Sequence, residues 1–293
     1  MSEFLQQVVE GVGAGSIYAS LALALVLIHR FTGIVNFAQG ELAMISTYVA
    51  WQLVASGMPF WLALPVTLAI SFAGGMLIER LLIRPVEGAP ELTIVIVTVG
   101  LFIFVNAAAG LIWSFTVKDF PQPFPEGSVA LAGVDIGWST LGVIGVVAVV
   151  MGLLYLLFQH TRTGLVMRAV AANPASARLS GIRMGRVLML GWGLAATVGA
   201  LSGVLVAPLL FLEPNMMGGA LIYAFAAATL GGFDSPVGAV AGGLVVGVAE
   251  TLAGAYVGFV GADLKIGVPL LIILVVLLVR PQGLFGRAAV ERA

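Results

Sequence analysis

Long, nearly continuous apolar runs separated by short polar stretches dominate this chain of 293 residues. A helix that crosses about 30 Å of hydrocarbon needs roughly 20 mostly apolar residues, and several runs reach that length. Lipid cannot hydrogen-bond the backbone, so a spanning chain forms helices or a closed barrel, and unbroken rather than alternating runs indicate helices. The pattern predicts nine spans: Val8–Ile28, Leu42–Ala55, Phe60–Ile78, Leu92–Trp113, Thr140–Phe158, Val187–Pro208, Gly219–Leu230, Val237–Val257 and Ile266–Val279.

Two of these segments, Leu42–Ala55 and Gly219–Leu230, are shorter than a normal crossing. They are predicted to be broken helices, steep partial spans or re-entrant segments, and transporters place their solute paths at interrupted helices. Boundary errors of a few residues explain the same lengths. An eight-span arrangement that merges or omits one short segment also stays open.

The composition agrees with a helical bundle embedded in a membrane. Hydrophobic residues make up 60% of the chain and charged residues 9%, against about 25% charged residues in soluble domains. The 38 glycines allow close helix packing. The net charge of −1 argues against a nucleic-acid partner. The first span starts within about ten residues of Met1 without a preceding basic segment, which predicts a retained span rather than a signal peptide.

Basic residues are distributed asymmetrically between the two sides of the predicted bundle. Lys and Arg accumulate at the cytoplasmic ends of membrane spans. With nine spans and an external N-terminus, the outside segments contain only Lys118 and Lys265, and the C-terminus is cytoplasmic. The cytoplasmic segments then contain eleven arginines: Arg30, Arg80, Arg84, Arg162, Arg168, Arg178, Arg183, Arg186, Arg280, Arg287 and Arg292.

The cytoplasmic segment that follows Phe158 is unusually long for a connection between spans. Residues 159–186 carry five arginines and no acidic residue. Asn173-Pro174 interrupts Ala-rich, helix-forming sequence, which predicts a short amphipathic helix along the membrane face. Such a helix either docks into a cytoplasmic partner or only contacts anionic lipid headgroups.

A few polar residues interrupt the apolar spans, and a charge at the bilayer centre costs about 2.5–3.5 kcal/mol. We expect Glu250 to hydrogen-bond to a neighbouring helix, with solute contact and a proton relay as alternatives. Glu79 is expected to form an ion pair with Arg80, the residue that follows it. Asn36 and Gln39 flank a break before the second span, where their amides either satisfy freed backbone groups or line a polar vestibule.

Residues near two predicted helix ends have the chemistry of turns and caps. Gly40 allows the chain to turn, and Glu41 is favourably placed at a helix N-terminus. Asp234 or Ser235 is expected to cap the helix that begins near Pro236.

No catalytic constellation is recognisable in the sequence. His29 and His160 stand alone, so no metal cluster is predicted. The chain lacks a Gly-x-x-x-x-Gly-Lys-Ser/Thr phosphate loop, which excludes an intrinsic ATPase and leaves a partner or a gradient as the energy source. A carrier or channel that acts alone has few ionisable groups for an ion relay. A membrane enzyme or scaffold lacks paired carboxylates.

Seven short motifs occur in an order that is specific, although each motif alone is weak. They are Gly33–Glu41, Glu79–Pro85, Thr98–Gly100, the residues Thr161–Ala169 with Asn173, Ala177 and Gly181-Ile182, then Leu230–Ala239, Glu250 and Arg280–Gly286. Together they resemble the shorter permease subunit (LivH type) of bacterial branched-chain amino-acid ABC importers. The resemblance covers nearly the whole chain.

The resemblance implies a transport machine of several chains in a bacterial inner membrane. A periplasmic binding protein delivers the solute, and two permease subunits form the path, usually this type with a longer homologue. Two cytoplasmic ATPase subunits use ATP and Mg, while this chain holds no cofactor. The chain is then one transmembrane permease domain over residues 1–293, with a coupling loop at residues 159–186. The solutes are branched-chain amino acids or related small amino-acid and amide compounds.

The resemblance also assigns residues to roles. The coupling segment that contacts the ATPase matches Arg162, Gly164, Arg168, Ala169, Asn173, Ala177, Gly181 and Ile182. Candidates for the translocation path are Asn36, Phe37, Gln39, Gly40, Tyr223 and Glu250. The family often has Lys where this chain has Tyr223, and Gly or Met where it has Phe233-Asp234. These departures leave the solute open among amino acids, amides and urea.

Overall fold

The computed structural model describes residues 2–131, 133–258, 260–261 and 264–286, so two arginines of the predicted cytoplasmic tail, Arg287 and Arg292, lie outside the described residues. The helices are α1 (Ser2–Thr32), α2 (Gln39–Ala55), α3 (Phe60–Ile78), α4 (Glu91–Trp113), α5 (Trp138–His160), α6 (Arg162–Ala172), α7 (Pro174–Leu179), α8 (Met184–Leu210), α9 (Met217–Gly231), α10 (Pro236–Tyr256) and α11 (Gly267–Val279). Two antiparallel strands, β1 (Ser128–Leu131) and β2 (Val134–Gly137), form a hairpin.

Each of the nine predicted spans forms a helix. Within the described part of the chain, six helices are long and apolar enough to cross a membrane, namely α1, α3, α4, α5, α8 and α10. Two more, α9 and α11, are apolar but shorter. The prediction of an all-α, polytopic membrane bundle with short helices is therefore confirmed.

The hairpin was not predicted from the apolar pattern, because its two strands are short and lie in a Pro-rich loop. The side chain of Gln6, near the start of α1, holds one strand in place. Gln6 Nε2 donates to the carbonyl of Asp135 at 2.8 Å, and the N–H of Asp135 donates to Gln6 Oε1 at 2.9 Å. These paired bonds reproduce the pairing of a further strand residue and fix the hairpin on α1.

The chain forms two compact units that alternate along the sequence. Unit 1 comprises the described residues of Met1–Val26, Phe124–Gly145 and Gly218–Ala293. Unit 2 comprises Leu27–Pro123 and Val146–Met217.

In unit 1, α1 and α10 pack through glycines. A Cβ placed on Gly247 would meet the backbone of Gly15, and one placed on Gly243 would meet the backbone of Ala19. The spacing of four residues on each helix puts these small residues on one face, where the two backbones can approach closely. The many glycines of the sequence therefore serve helix packing here.

In unit 2, α8 packs against α2 and α3 in the same way. A Cβ on Gly203 would meet Thr47 Oγ1 and, at 2.8 Å, the carbonyl of Ala43 on α2. A Cβ on Gly75 of α3 would lie 2.7 Å from Ala196 Cβ on α8. Most of α8 is buried between its neighbours, which makes it the central helix of this unit.

Candidate functional site

The chain between α1 and α2 turns within unit 2 around two buried amides. Asn36 and Gln39 are both 0% exposed. Asn36 Oδ1 accepts from the N–H of Ala38 at 3.0 Å, and Asn36 Nδ2 donates to Gln39 Oε1 at 3.3 Å. Gln39 Nε2 donates to the carbonyl of Ala195 on α8 at 3.0 Å. The bond to the N–H of Ala38 satisfies a backbone group at the break, which is the first of the two roles predicted for the pair, and the bond to Ala195 ties the break to α8.

The N-terminal end of α2 lies beside the middle of α4 and not beside the N-terminal end of α4. Near the C-terminal ends of both helices, Trp113 Nε1 donates to Gln52 Oε1 at 3.2 Å. At the start of α2, Glu41 Oε2 accepts from Asn106 Nδ2 at 3.3 Å. Asn106 precedes Trp113 by seven residues, a rise of about 10 Å. Helix α2 therefore runs beside only the C-terminal part of α4, which agrees with a partial span, one of the alternatives that its short apolar run left open.

A cavity of about 250 Å³ lies beside this break, within unit 2. Its lining includes Asn36 and Thr98, and its wall reaches Arg178 and Glu87, which form an ion pair at 3.7 Å. Trp192 is 2% exposed, lines the cavity, and its Nε1 finds no hydrogen-bond acceptor among the described residues. The space has polar groups on its wall and is large enough to hold several water molecules.

The remaining residues predicted for the path at this break differ in exposure. Gly40 is buried in the first turn of α2, whereas Phe37 is 38% exposed in the connection. Asn36 pins the break and also borders the cavity. Assignment of these residues to a solute path stays a prediction.

The expected ion pair between Glu79 and Arg80 is wrong. Glu79 is 0% exposed and pairs with Arg84, whose Nη2 lies 2.8 Å from Glu79 Oε2 and whose Nε lies 3.2 Å from Oε1. A π-helical turn over Glu79–Ile83 continues α3 and brings Arg84 over the carboxylate, while Arg80 points outward. Arg84 Nη2 also donates to the carbonyl of Gly185 at 2.8 Å, which ties this turn to the start of α8.

The segment predicted to couple to an ATPase consists of two helices, each with a side-chain cap. Thr161 Oγ1 accepts from the N–H of Gly164 and caps α6 at 3.0 Å. Asn173 Oδ1 accepts from the N–H of Ser176 and caps α7, also at 3.0 Å. Pro174 is the first residue of α7, where its missing N–H costs nothing. The predicted single amphipathic helix is thus divided at Asn173-Pro174.

The inner face of this segment packs on the rest of unit 2. Met167, Val170 and Ala177 are buried in one cluster with residues of α1 and α8, and Ile182 packs against it. A Cβ on Gly164 would collide with the carbonyl of Leu157, so only glycine allows α6 to lie this close to the end of α5. The predicted residues Gly164, Ala177 and Ile182 therefore hold the segment in place.

The outer face carries the residues that are free to meet a partner. Arg162, Ala169, Asn173 and Gly181 are exposed, and Arg168 is half-buried with its Nη1 donating to Gln159 Oε1 at 2.8 Å. Gly181 has a φ of +80° and ends the segment in a conformation that favours glycine.

Sequence reasoning missed two apolar residues on this outer face. Leu165 is 60% exposed and Leu179 is 90% exposed. Their positions on the polar side of α6 and at the end of α7 are a signal in the helical periodicity that could have identified them. Exposed leucines beside arginines are compatible with both alternatives predicted for this segment, a cytoplasmic partner and anionic lipid headgroups.

Glu250 of α10 is joined to two tyrosines in unit 1. Tyr18 of α1 donates from its hydroxyl to Glu250 Oε2 at 2.9 Å. The ring of Tyr18 stacks on that of Tyr223 in α9, with centroids 4.5 Å apart and an angle of 8° between the planes. This bond between helices is the arrangement expected for Glu250, and Tyr18 is the partner that the sequence did not reveal.

Two of the sequence motifs, Leu230–Ala239 and Arg280–Gly286, contact each other at the corner between α9 and α10. The N–H of Leu284 donates to the carbonyl of Leu230 at 2.7 Å, and the N–H of Phe285 donates to that of Gly231 at 3.1 Å. Ser235 Oγ accepts from the N–H of Gly238 and caps α10, which confirms one of the two expected caps.

A bundle of apolar helices with a basic helical segment between two of them is the architecture of a multi-pass membrane protein. A family model described as "Branched-chain amino acid transport system / permease component" matches residues 7–277. The chain belongs to this family. It is a multi-pass inner-membrane permease subunit of an ABC importer, and it works with ATPase and substrate-binding partners.

Curated relatives match along nearly the whole chain. The high-affinity branched-chain amino acid transport system permease protein LivH of Salmonella typhimurium is 32% identical and covers 99% of this chain and 97% of its own. The high-affinity branched-chain amino acid transport system permease protein BraD of Pseudomonas aeruginosa is also 32% identical, and the match covers 99% of this chain and 98% of BraD. A solved structure of PsaBC from Streptococcus pneumoniae in complex with Fab has a TM-score of 0.50 at 13% identity, over 95% of this chain and 92% of that one. This last similarity concerns the fold alone.

Proposed function

We propose that this chain moves branched-chain amino acids, or related small amino-acid and amide solutes, into the cytoplasm. The names of its relatives LivH and BraD support this solute class. A second permease subunit, a longer homologue, completes the path, and a periplasmic binding protein delivers the solute. Two cytoplasmic ATPase subunits bind ATP and Mg, since this chain has no phosphate-loop motif.

The arginine distribution supports an orientation with α6, α7 and the C-terminus in the cytoplasm. In this orientation the outer face of the coupling segment points to the ATPase subunits. Asn36, Phe37, Gln39 and Gly40 at the α1–α2 break remain candidates for the solute path. In unit 1 the candidates are Tyr223 and Glu250.

The observation that carries the proposed coupling is the difference between the buried inner face and the exposed outer face of α6 and α7. Buried residues fix the segment to unit 2, while Arg162, Leu165 and Leu179 are exposed. A leucine that is 90% exposed on a cytoplasmic segment gains about 1.5–3 kcal/mol when a partner covers it. We therefore assign Leu179 to the contact with an ATPase subunit.

Replacing Leu179 with aspartate is expected to weaken ATPase association at least tenfold, because a charge then enters an apolar contact. The measurement is co-purification of the ATPase subunits with the permease in detergent, followed by titration of ATPase into the permease. Leu284→Asp is the matched control, since Leu284 is also an exposed leucine on the proposed cytoplasmic side but lies outside the coupling segment.

Equal ATPase binding by Leu179→Asp and the unchanged protein would show that this face does not dock. Solute uptake by this chain alone, in liposomes without ATP, would instead support the competing function of a gradient-driven carrier. Uptake that requires the ATPase subunits and internal ATP supports the importer. Screening leucine, an amide and urea as solutes distinguishes the substrate classes.

A further inference from the structure

Glu41 lies in the first turn of α2, as predicted, but a favourable position at a helix N-terminus does not require the carboxyl group to be buried. It is the third residue of α2 and is 2% exposed. Its position beside Asn106 puts it inside the length of α4, at the depth of the membrane-spanning helices. A charged group is costly at such depth, so an acidic residue there is by default a candidate functional site.

The Glu41 carboxylate has fewer hydrogen-bond donors around it than its two oxygen atoms can accept from. Among the described residues its side chain receives one hydrogen bond, from Asn106 Nδ2 at 3.3 Å. The same nitrogen lies 2.9 Å from the carbonyl oxygen of Pro214 and 3.2 Å from Asn215 Oδ1. A carboxamide nitrogen has two hydrogens, so it cannot serve three oxygens fully. Glu41 lies at the longest of the three distances, so its carboxylate is the acceptor with the weakest hydrogen bond.

The cluster has the chemistry of a site for a positively charged donor. A carboxylate, a carbonyl oxygen and a carboxamide oxygen surround Asn106 Nδ2, and no lysine or arginine of the described ranges pairs with Glu41. An ammonium group supplies three N–H donors and one positive charge. It would satisfy the oxygens that Asn106 cannot serve and would neutralise the buried carboxylate.

One member of the cluster lies at the surface of the protein. Asn215, in the connection that precedes α9, is exposed, whereas Glu41 behind Asn106 is not. Asn215 is thus the member of the cluster that a ligand reaches first. Every residue of this cluster belongs to unit 2, so the site does not depend on any other part of the chain.

We propose that Glu41, Asn106 and Asn215 bind the ammonium group of the transported solute, an inference that rests on the proposed transport of amino acids. The site selects for zwitterionic amino acids, because a solute without an ammonium group leaves Glu41 buried and unpaired. It is separate from the Asn36–Gln39 pair, whose amides are engaged in holding the break.

The test uses the complete transporter, reconstituted in liposomes with its binding protein, ATPase subunits and internal ATP. Leucine is the probe, and the readout is leucine imported per ATP hydrolysed. Glu41→Gln is expected to lower this ratio at least tenfold while stimulation of the ATPase by the loaded binding protein stays within twofold. Glu10→Gln removes the same charge from an exposed position on α1 and is expected to leave the ratio unchanged.

A second variant, Asn215→Ala, alters an exposed residue and keeps the proposal testable if Glu41→Gln does not assemble. It is expected to lower the same ratio at least threefold. The inference is overturned if the assembled Glu41→Gln variant has a ratio within twofold of that of the unchanged protein. If only Asn215→Ala assembles, a ratio within twofold for that variant overturns it. Absence of leucine uptake by the unchanged transporter is a different result, which contradicts the proposed function itself.

Discussion

Replacement of Arg84 by glutamine is expected to lower the free energy of unfolding by about 3 kcal/mol. The change leaves the carboxylate of Glu79, which is 0% exposed, without its cation. Removing one partner of a buried pair costs about 3–5 kcal/mol, and the lower end applies because the Arg84 side chain is 36% exposed. The bond from Arg84 to the carbonyl of Gly185 is lost as well. Denaturant titration of the purified permease in detergent measures the difference.

Arg80→Gln is the matched control, because Arg80 is exposed and next to Glu79 in sequence. We expect it to change the free energy of unfolding by less than about 0.5 kcal/mol. The double variant Glu79→Gln with Arg84→Gln should recover part of the loss, since no unpaired charge remains buried. Equal effects of Arg80→Gln and Arg84→Gln would contradict the pairing with Arg84.

Replacement of Gly247 by leucine is expected to prevent accumulation of folded permease. A Cβ at this position would meet the backbone of Gly15 on α1, and backbone atoms cannot rotate away as a side chain does. Overpacking typically costs 1–3 kcal/mol and more where the neighbour cannot yield, so a loss of about 3 kcal/mol or more is expected. The yield of monodisperse protein after detergent extraction measures the effect.

Gly152→Leu makes the same substitution on α5, where an added Cβ meets no atom within 4 Å. Its yield should equal that of the unchanged protein, because the new side chain points into open space. A normal yield from Gly247→Leu would mean that α1 and α10 are not in close backbone contact.

The segment formed by α6 and α7 was predicted in part from its residues. The Asn173-Pro174 interruption and the surrounding Ala-rich sequence predicted helix, and both α6 and α7 are present. Burial of Ala177 and exposure of Leu179 could not be assigned in the same way, because α7 has only six residues and its contacts come from other helices.

The run lengths of apolar residues by themselves determined that the chain is a bundle of membrane helices, because lipid leaves the backbone no other partner than itself. The ordered motifs identified the family before any contact was known. The tertiary structure alone decided which polar groups meet. Arg84 replaces Arg80 as the partner of Glu79 because a π-helical turn changes the direction of the side chains. Glu41 meets Asn106 across 65 residues, a distance along the chain at which no local pattern reports contact.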